Sequence, residues 1–337
     1  MKRKILATII VSIIIILFAV AIGSVYIAPI DILKVMTHKI FGQVLPVAFE
    51  ETQIAIIWDL RLPRVLLAFI VGAMLSVSGA IMQSVLKNSL ASSYTLGVSS
   101  GAALGAGIVF FFGVSIPLVG MFSLPIMGFL FGLGTIILVM GFAIRIGGGL
   151  ENNTIILSGM VISLFANAVV TLMSAISREQ IQRLIFWQMG SFSSRDWSVV
   201  LILFVLAVVG TIYMFGYHRE MDMLTFGEEQ AQAMGVNTKT TKWILLITAA
   251  AMTGSAISFV GIIGFVDLVA PHVVRKVFGS SHRLVIPMSA LWGGTFMVIC
   301  DLVARTIVPK QEIPVGAVTA LIGAPFFAYI YFSKRAR

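Results

Sequence analysis

Few side chains in this 337-residue chain could do bond chemistry or hold a metal: His38, His218, His272, His282, Cys300 and some acids embedded in apolar sequence. No two histidines stand in the H-E-x-x-H spacing that puts two imidazoles and a general base on one helix. A lone cysteine makes neither an intrachain disulfide nor a multi-cysteine metal cluster. No glycine run ends in Lys-Ser or Lys-Thr, so there is no phosphate-cradling loop, and any dependence on ATP must come from a partner chain. The expectation is no catalytic residue, no metal site and no cofactor. Gradient coupling needs an ionisable group near mid-membrane depth. The candidates Asp267, Asp301 and Glu151 fall toward the ends of apolar runs, which disfavours a gradient-driven secondary transporter.

The elements that must position these groups are membrane helices. Hydrophobic residues make up 59% of the chain and charged residues 11%, with a mean hydropathy of +1.04. An ordinary soluble domain is about a quarter charged. Unbroken apolar runs over 5–22 and 199–215 lack the alternation of a membrane β-barrel. Windows of roughly 20 apolar residues are predicted at 5–27, 63–83, 95–112, 122–145, 154–174, 198–216, 243–262, 264–276, 284–304 and 314–332. The expected fold is an all-α membrane protein, a polytopic bundle of about ten transmembrane helices forming one domain over 1–337. The basic start Met1-Lys2-Arg3-Lys4 and the small residues Ala19-Val20-Ala21 also fit a signal peptide, but a run reaching almost to Ile30 is simpler as an uncleaved first span.

The net charge of +9 is scattered between apolar runs, which reads as topology and lipid bilayer rather than nucleic acid. Lys2, Arg3, Lys4, Lys87, Arg145, Arg219, Lys239, Lys242, Arg275, Lys276, Arg283, Lys334, Arg335 and Arg337 fall on one side, so both termini are expected in the cytoplasm. Arg61, Arg64, Arg178, Arg183, Arg195 and Arg305 fall on the other and need a reason. The outer segment 28–62 is predicted as short amphipathic pieces. The inner segment 217–242 contains a short helix bounded by Gly227 and Gly235, with Glu228 and Glu229 at its acid-favouring start. Ser78-Gly79-Ala80-Ile81 and Thr253-Gly254-Ser255-Ala256-Ile257 faintly echo one another, as inverted repeats would.

Four blocks carry a family resemblance. The first is Arg61-Leu62-Pro63-Arg64, then Gly72-Ala73, Ser78-Gly79, Gln83, Asn88-Ser89-Leu90-Ala91 and Leu96-Gly97-Val98-Ser99-Ser100-Gly101-Ala102. The second is Trp187-Gln188-Met189-Gly190-Ser191-Phe192 before Asp196-Trp197, and the third Gly227-Glu228-Glu229, Ala231 and Met234-Gly235-Val236. The fourth runs from Gly264-Phe265-Val266 through Pro271-His272, Arg275, His282-Arg283, Pro287, Ser289-Ala290, Asp301, Ala304-Arg305 and Pro314-Val315-Gly316 to Gly323-Ala324-Pro325-Phe326. In this order they resemble the permease subunits of type II ABC importers for iron-siderophores, haem and cobalamin. Two positions depart from that pattern: Ser89 replaces a proline, and Asp267 replaces a glycine.

The resemblance implies a ten-helix transport subunit in a bacterial cytoplasmic membrane, working with a second permease subunit, identical or paralogous. It also implies two cytoplasmic ABC ATPase subunits and an extracytoplasmic substrate-binding protein, with a ferric siderophore as the first-choice cargo and haem or cobalamin as alternatives. By motif, Arg61, Arg64 and Arg305 would face the acidic lobes of the binding protein, their forks suited to carboxylates; an intrachain pair of Asp301 with Arg305 is the competing reading. Gly227, Glu228, Glu229, Ala231, Met234 and Gly235 would form the ATPase-coupling helix, with Ala231 and Met234 as its knobs. Asn152, Asn153 and Thr154 would narrow the cytoplasmic side of the pathway, although a helix cap explains the same residues. Asp267 is expected to face a water-accessible or protein-lined position.

Overall fold

The computed structural model describes residues 1–23, 25–43, 49–117, 120–147, 149–176, 178–193, 195–308 and 311–333. The terminal charges Lys334, Arg335 and Arg337 lie outside the described residues. The described elements are helices: α1 (Lys2–Ala21), α2 (Pro29–Phe41), α3 (Glu51–Ala55), a π-helical turn Ile56–Arg61, α4 (Leu62–Val85), α5 (Val98–Phe112), α6 (Ser123–Gly147), α7 (Asn152–Ile176), α8 (Arg178–Gln188), α9 (Trp197–Gly216), α10 (His218–Phe226), α11 (Glu228–Ala233), α12 (Thr238–Val260), α13 (Val266–Phe278), α14 (His282–Thr306) and α15 (Val315–Ser333). Among the described residues seven stretches are long and apolar enough to cross a membrane, containing α1, α4, α6, α7, α9, α12 and α14. The shorter apolar α5 and α15 and the 13-residue α13 occupy the remaining predicted windows.

α4 and α12 are the most enclosed of these helices, whereas α1, α7 and α9 leave most of their surface open, as helices facing lipid should. Small residues set the inner packing, because with little hydrophobic drive in lipid the helices gain by close approach. A Cβ on Gly72 of α4 would collide with the Gly293 carbonyl of α14, and one on Gly79 with the Asp267 carbonyl of α13. Side-chain caps fix two starts: Asp196 accepts from Val199 N–H at α9 and Asn237 from Thr240 N–H at α12. α5 and α13 begin differently, each behind a residue in the left-handed region, Gly97 (φ 82°) and Phe265 (φ 68°). Both first turns are buried, so each long helix of the faint sequence echo, α4 and α12, is followed by a short helix starting inside the bundle.

The bundle has two polar ends. At one, Lys4 Nζ donates to the Val277 carbonyl at 3.3 Å, bringing the start of α1 to the end of α13. The starts of α12 and α14 and the α10–α11 pair join them through the bonds described below. At the other end meet the close of α1, the start of α4, the close of α14 and residues 190–193, where Val315 N–H donates to the Gly190 carbonyl at 3.2 Å.

Candidate functional site

Of the arginines set apart in the sequence, Arg61, Arg64 and Arg305 converge, and each of these three is committed within the chain. Arg61, 8% exposed, donates to the Val20 and Ala21 carbonyls at 3.0 Å and to Val25 O at 2.5 Å. Arg305 donates to Ile22 O at 2.9 Å and to Ala19 O. Together they satisfy the orphan carbonyls that end α1, a favourable place for cations. Arg64 grips Asp301 with Nε at 3.0 Å and Nη2 at 2.9 Å from Oδ1, and reaches Glu312 at 2.6 Å. Arg305 Nε lies 3.5 Å from Asp301 Oδ2, the i,i+4 pair. Glu312 is drawn below the usual carboxylate range: burial pushes its pKa up, but hydrogen bonds from Arg64 and Ser193 outweigh that. The three arginines, with Arg195, Ser193, Asp59 and Glu312, line a cleft of about 400 Å³. Trp197 braces it, donating from Nε1 to Trp58 O at 2.9 Å with the two indoles 5.0 Å apart.

At the opposite end stands the glycine-bounded helix. Gly227 (φ 137°) and Gly235 (φ 90°) adopt backbone that favours glycine, and Glu228 and Glu229 occupy the first turn of α11. Ala231 is fully buried with Leu224 and Val236, turned into the α10–α11 unit. Met234 is 48% exposed and Phe226 of α10 is 74% exposed, so these two form the apolar surface offered outward. α10, absent from the sequence reading, is held by Asp222, which accepts from His282 N–H at 2.9 Å and from His282 Nδ1 at 2.6 Å.

That carboxylate fixes the ring tautomer, leaving Nε2 to accept from Ser84 Oγ at 2.5 Å. The donor order resembles a hydrolase triad, yet Ser84 is 8% exposed and its oxygen also accepts from Arg275 at 3.1 Å. It is a structural network: Arg275 continues to Gln83 Oε1 at 2.5 Å, and Gln83 donates to Asp267 O at 3.0 Å. Among the described residues no group of His, Cys, Asp and Glu is arranged to hold a metal.

Asn152 opens α7 and presents Oδ1 to Lys242 Nζ at 2.7 Å. Thr154 reaches Glu151 at 3.5 Å, and Asn153 is exposed. Lys242, which the sequence reading counted only as an inner charge, also donates to Leu150 O at 2.7 Å and to Glu228, joining the loop before α7 to α11. Asp267 is 3% exposed and protein-lined. Its Oδ2 accepts from Ser93 N–H at 3.3 Å, and it borders a cavity of about 440 Å³ with Tyr94, Gln188 and Phe265.

The FecCD transport family model matches residues 10–333. The cobalamin import system permease protein BtuC of Halobacterium salinarum is 39% identical over 287 residues, 85% of this chain and 76% of that one. The hemin transport system permease protein HmuU of Yersinia pestis is 37% identical, covering 83% and 84%. The iron(3+)-hydroxamate import system permease protein FhuB of Bacillus subtilis is 36% identical, covering 85% and 73%. A solved ABC transporter assigned to the metal-chelate type, in an inward-facing conformation, superposes with TM-score 0.86 at 30% identity over 99% of this chain and 100% of that one. With the family model matched over residues 10–333 and relatives more than 30% identical across most of its length, the chain belongs to the FecCD transport family.

Proposed function

We propose that this chain is the permease subunit of an ABC importer that moves a ferric siderophore from an extracytoplasmic binding protein to the cytoplasm of a bacterium. It would cross the cytoplasmic membrane ten times with both termini inside, pair with an identical or paralogous permease and engage two cytoplasmic ATPases. The observation that carries the reading is α11, a glycine-bounded helix on the same polar end as the inner lysines and arginines, presenting Met234 outward. The names of the relatives support a large metal chelate as cargo, with haem and cobalamin as the alternatives to siderophore.

The residues divide the work by end. At the outer end the cleft lined by Arg61, Arg64 and Arg305 gives a positive field for the acidic lobes of a binding protein. Docking would lean on that field and on Arg195, since Arg61 and Arg305 already hold α1. At the inner end, nucleotide-driven movement of the ATPases would displace α11 and widen the pathway beside Asn152, Asn153 and Thr154. A gradient-driven transporter is not favoured, because the solved structure that superposes over nearly the whole chain is an ABC transporter and the buried charges Asp301 and Lys242 are tied to fixed partners, although Asp267 keeps one oxygen unpaired among the described residues. The test is ATP hydrolysis and chelate uptake in reconstituted vesicles. This chain alone should hydrolyse no ATP, and the assembled complex should import with the proton gradient dissipated. ATPase activity from the isolated subunit would refute the reading.

A further inference from the structure

We propose that Lys242 is the positioning residue that transmits movement of α11 to the mouth of α7; this rests on reading α11 as the coupling helix and residues 152–154 as the gate. An ammonium has three donors and no acceptor. Here all three are used, on two elements separated in sequence: Leu150 O and Asn152 Oδ1, each at 2.7 Å, and the Glu228 carboxylate. The side chain is fully buried, so losing any one acceptor leaves a charge in a place where water cannot replace it. Lys242 belongs to α12, one of the two most enclosed helices, which makes it a fixed post with α11 on one side and the gate loop on the other.

The surrounding charges sharpen the arrangement. Glu151, next to the gate, attracts the ammonium, while Lys87 beyond α4 repels it. α10 is pinned separately, by Asp222 to His282 of α14. A pull on α11 therefore acts on the Glu228–Lys242 contact, while the Asp222 end of the α10–α11 unit stays tied to the bundle. When Glu228 moves, the ammonium must either follow it, releasing Asn152 and the Leu150 carbonyl, or stay on those two neutral acceptors without its counter-charge. The first course costs less, because the freed amide and carbonyl at the mouth of α7 are neutral and the stranded ammonium is not. Gate and coupling helix thereby share one charge.

The test uses the whole transporter, with its ATPase subunits, in lipid nanodiscs. This chain carries Cys300→Ala and an Asn153→Cys reporter, whose labelling by a water-soluble maleimide is timed with and without ATP and vanadate. In that parent, trapping should change the labelling rate at least about fivefold, and in Lys242→Met the change should fall below about twofold while ATP hydrolysis continues. Glu228→Ala, at a partly exposed position, should lose the change in the same way and carries the test if Lys242→Met does not assemble. A merely structural lysine would lower assembly and hydrolysis together. A nucleotide-dependent change that persists in both variants overturns the proposal and leaves the gate reading standing. No change in the parent overturns the gate reading, and the proposal with it.

Discussion

Arg64 and Asp301, 237 residues apart in the chain, meet through two guanidinium nitrogens, at 3.0 and 2.9 Å from one carboxylate oxygen. Asp301 is 1% exposed, so its charge depends on this fork and on Arg305. Arg64→Ala should destabilise the protein by about 3–5 kcal/mol, the usual cost of stranding one member of a buried pair. Arg64→Met with Asp301→Leu should recover much of it. Thermal unfolding of the purified variants in one detergent checks both, and equal loss in the single and double variants would contradict the pairing.

Glu312 supplies a pH dependence with a definite sign. Its pKa is lower folded than unfolded, so the stabilisation from its ionised form is complete above the unfolded carboxylate value of about 4.3 and fades as pH falls through the lower folded value. Glu312→Gln should remove that part of the acid-side decline in melting temperature and leave the alkaline side unchanged. The effect should be small, because the carboxylate is half exposed. Melting curves from pH 3 to 7 measure it.

Arg195 borders the arginine cleft without holding α1. Arg195→Glu should weaken docking of the binding protein most at low ionic strength, where exposed charges are least screened. Arg61→Glu and Arg305→Glu should lower the melting temperature as well, since each strips carbonyl partners from α1. Docking measured on immobilised nanodiscs at two salt concentrations separates the two effects.

Met234 and Ala231 should respond in opposite ways. Met234→Glu should leave melting unchanged but uncouple the partner ATPase, whereas Ala231→Leu overpacks the α10–α11 unit and should cost about 1–3 kcal/mol. Melting together with ATPase stimulation by the binding protein distinguishes the surface residue from the interior one.

Asp267→Gly, which puts in the residue that the resemblance leads one to expect there, should preserve expression. It removes the acceptor for Ser93 N–H and should lower stability by about 0.5–1.5 kcal/mol. Membrane yield and melting temperature decide the matter, and a collapse in yield would give Asp267 a larger structural role.

Local chemistry was readable in the sequence; long-range pairing was not. The glycine limits of α11 and the long apolar spans stand where Gly227, Gly235 and the hydropathy windows put them, because backbone freedom and span length are local properties. α8 went unseen, since its polar run Arg178-Glu179-Gln180 hides an apolar face that only packing reveals. The π-helical turn before α4 was also missed. Pro63 offers no N–H to the residue four before it, Asp59, and the chain widens there instead of continuing a regular helix. The arginines were legible as exceptions, and the Asp301–Arg305 spacing as a pair. Their grip on α1 was not, because Arg305 and Ile22 are 283 positions apart and no periodicity reports such a contact.

That separation bears on how the chain is made. The carbonyl end of α1 is made well before its partners: it receives Arg61 from the turn ahead of α4 and waits 283 residues for Arg305. Until then the Ala19 and Ile22 carbonyls depend on headgroups and interfacial water, and that end of α1 rests on Arg61 alone. The arrival of α14 is thus a latch on biogenesis. A chain truncated before Arg305 would leave α1 half moored and open to quality-control proteases, even though every residue of that helix was already in place.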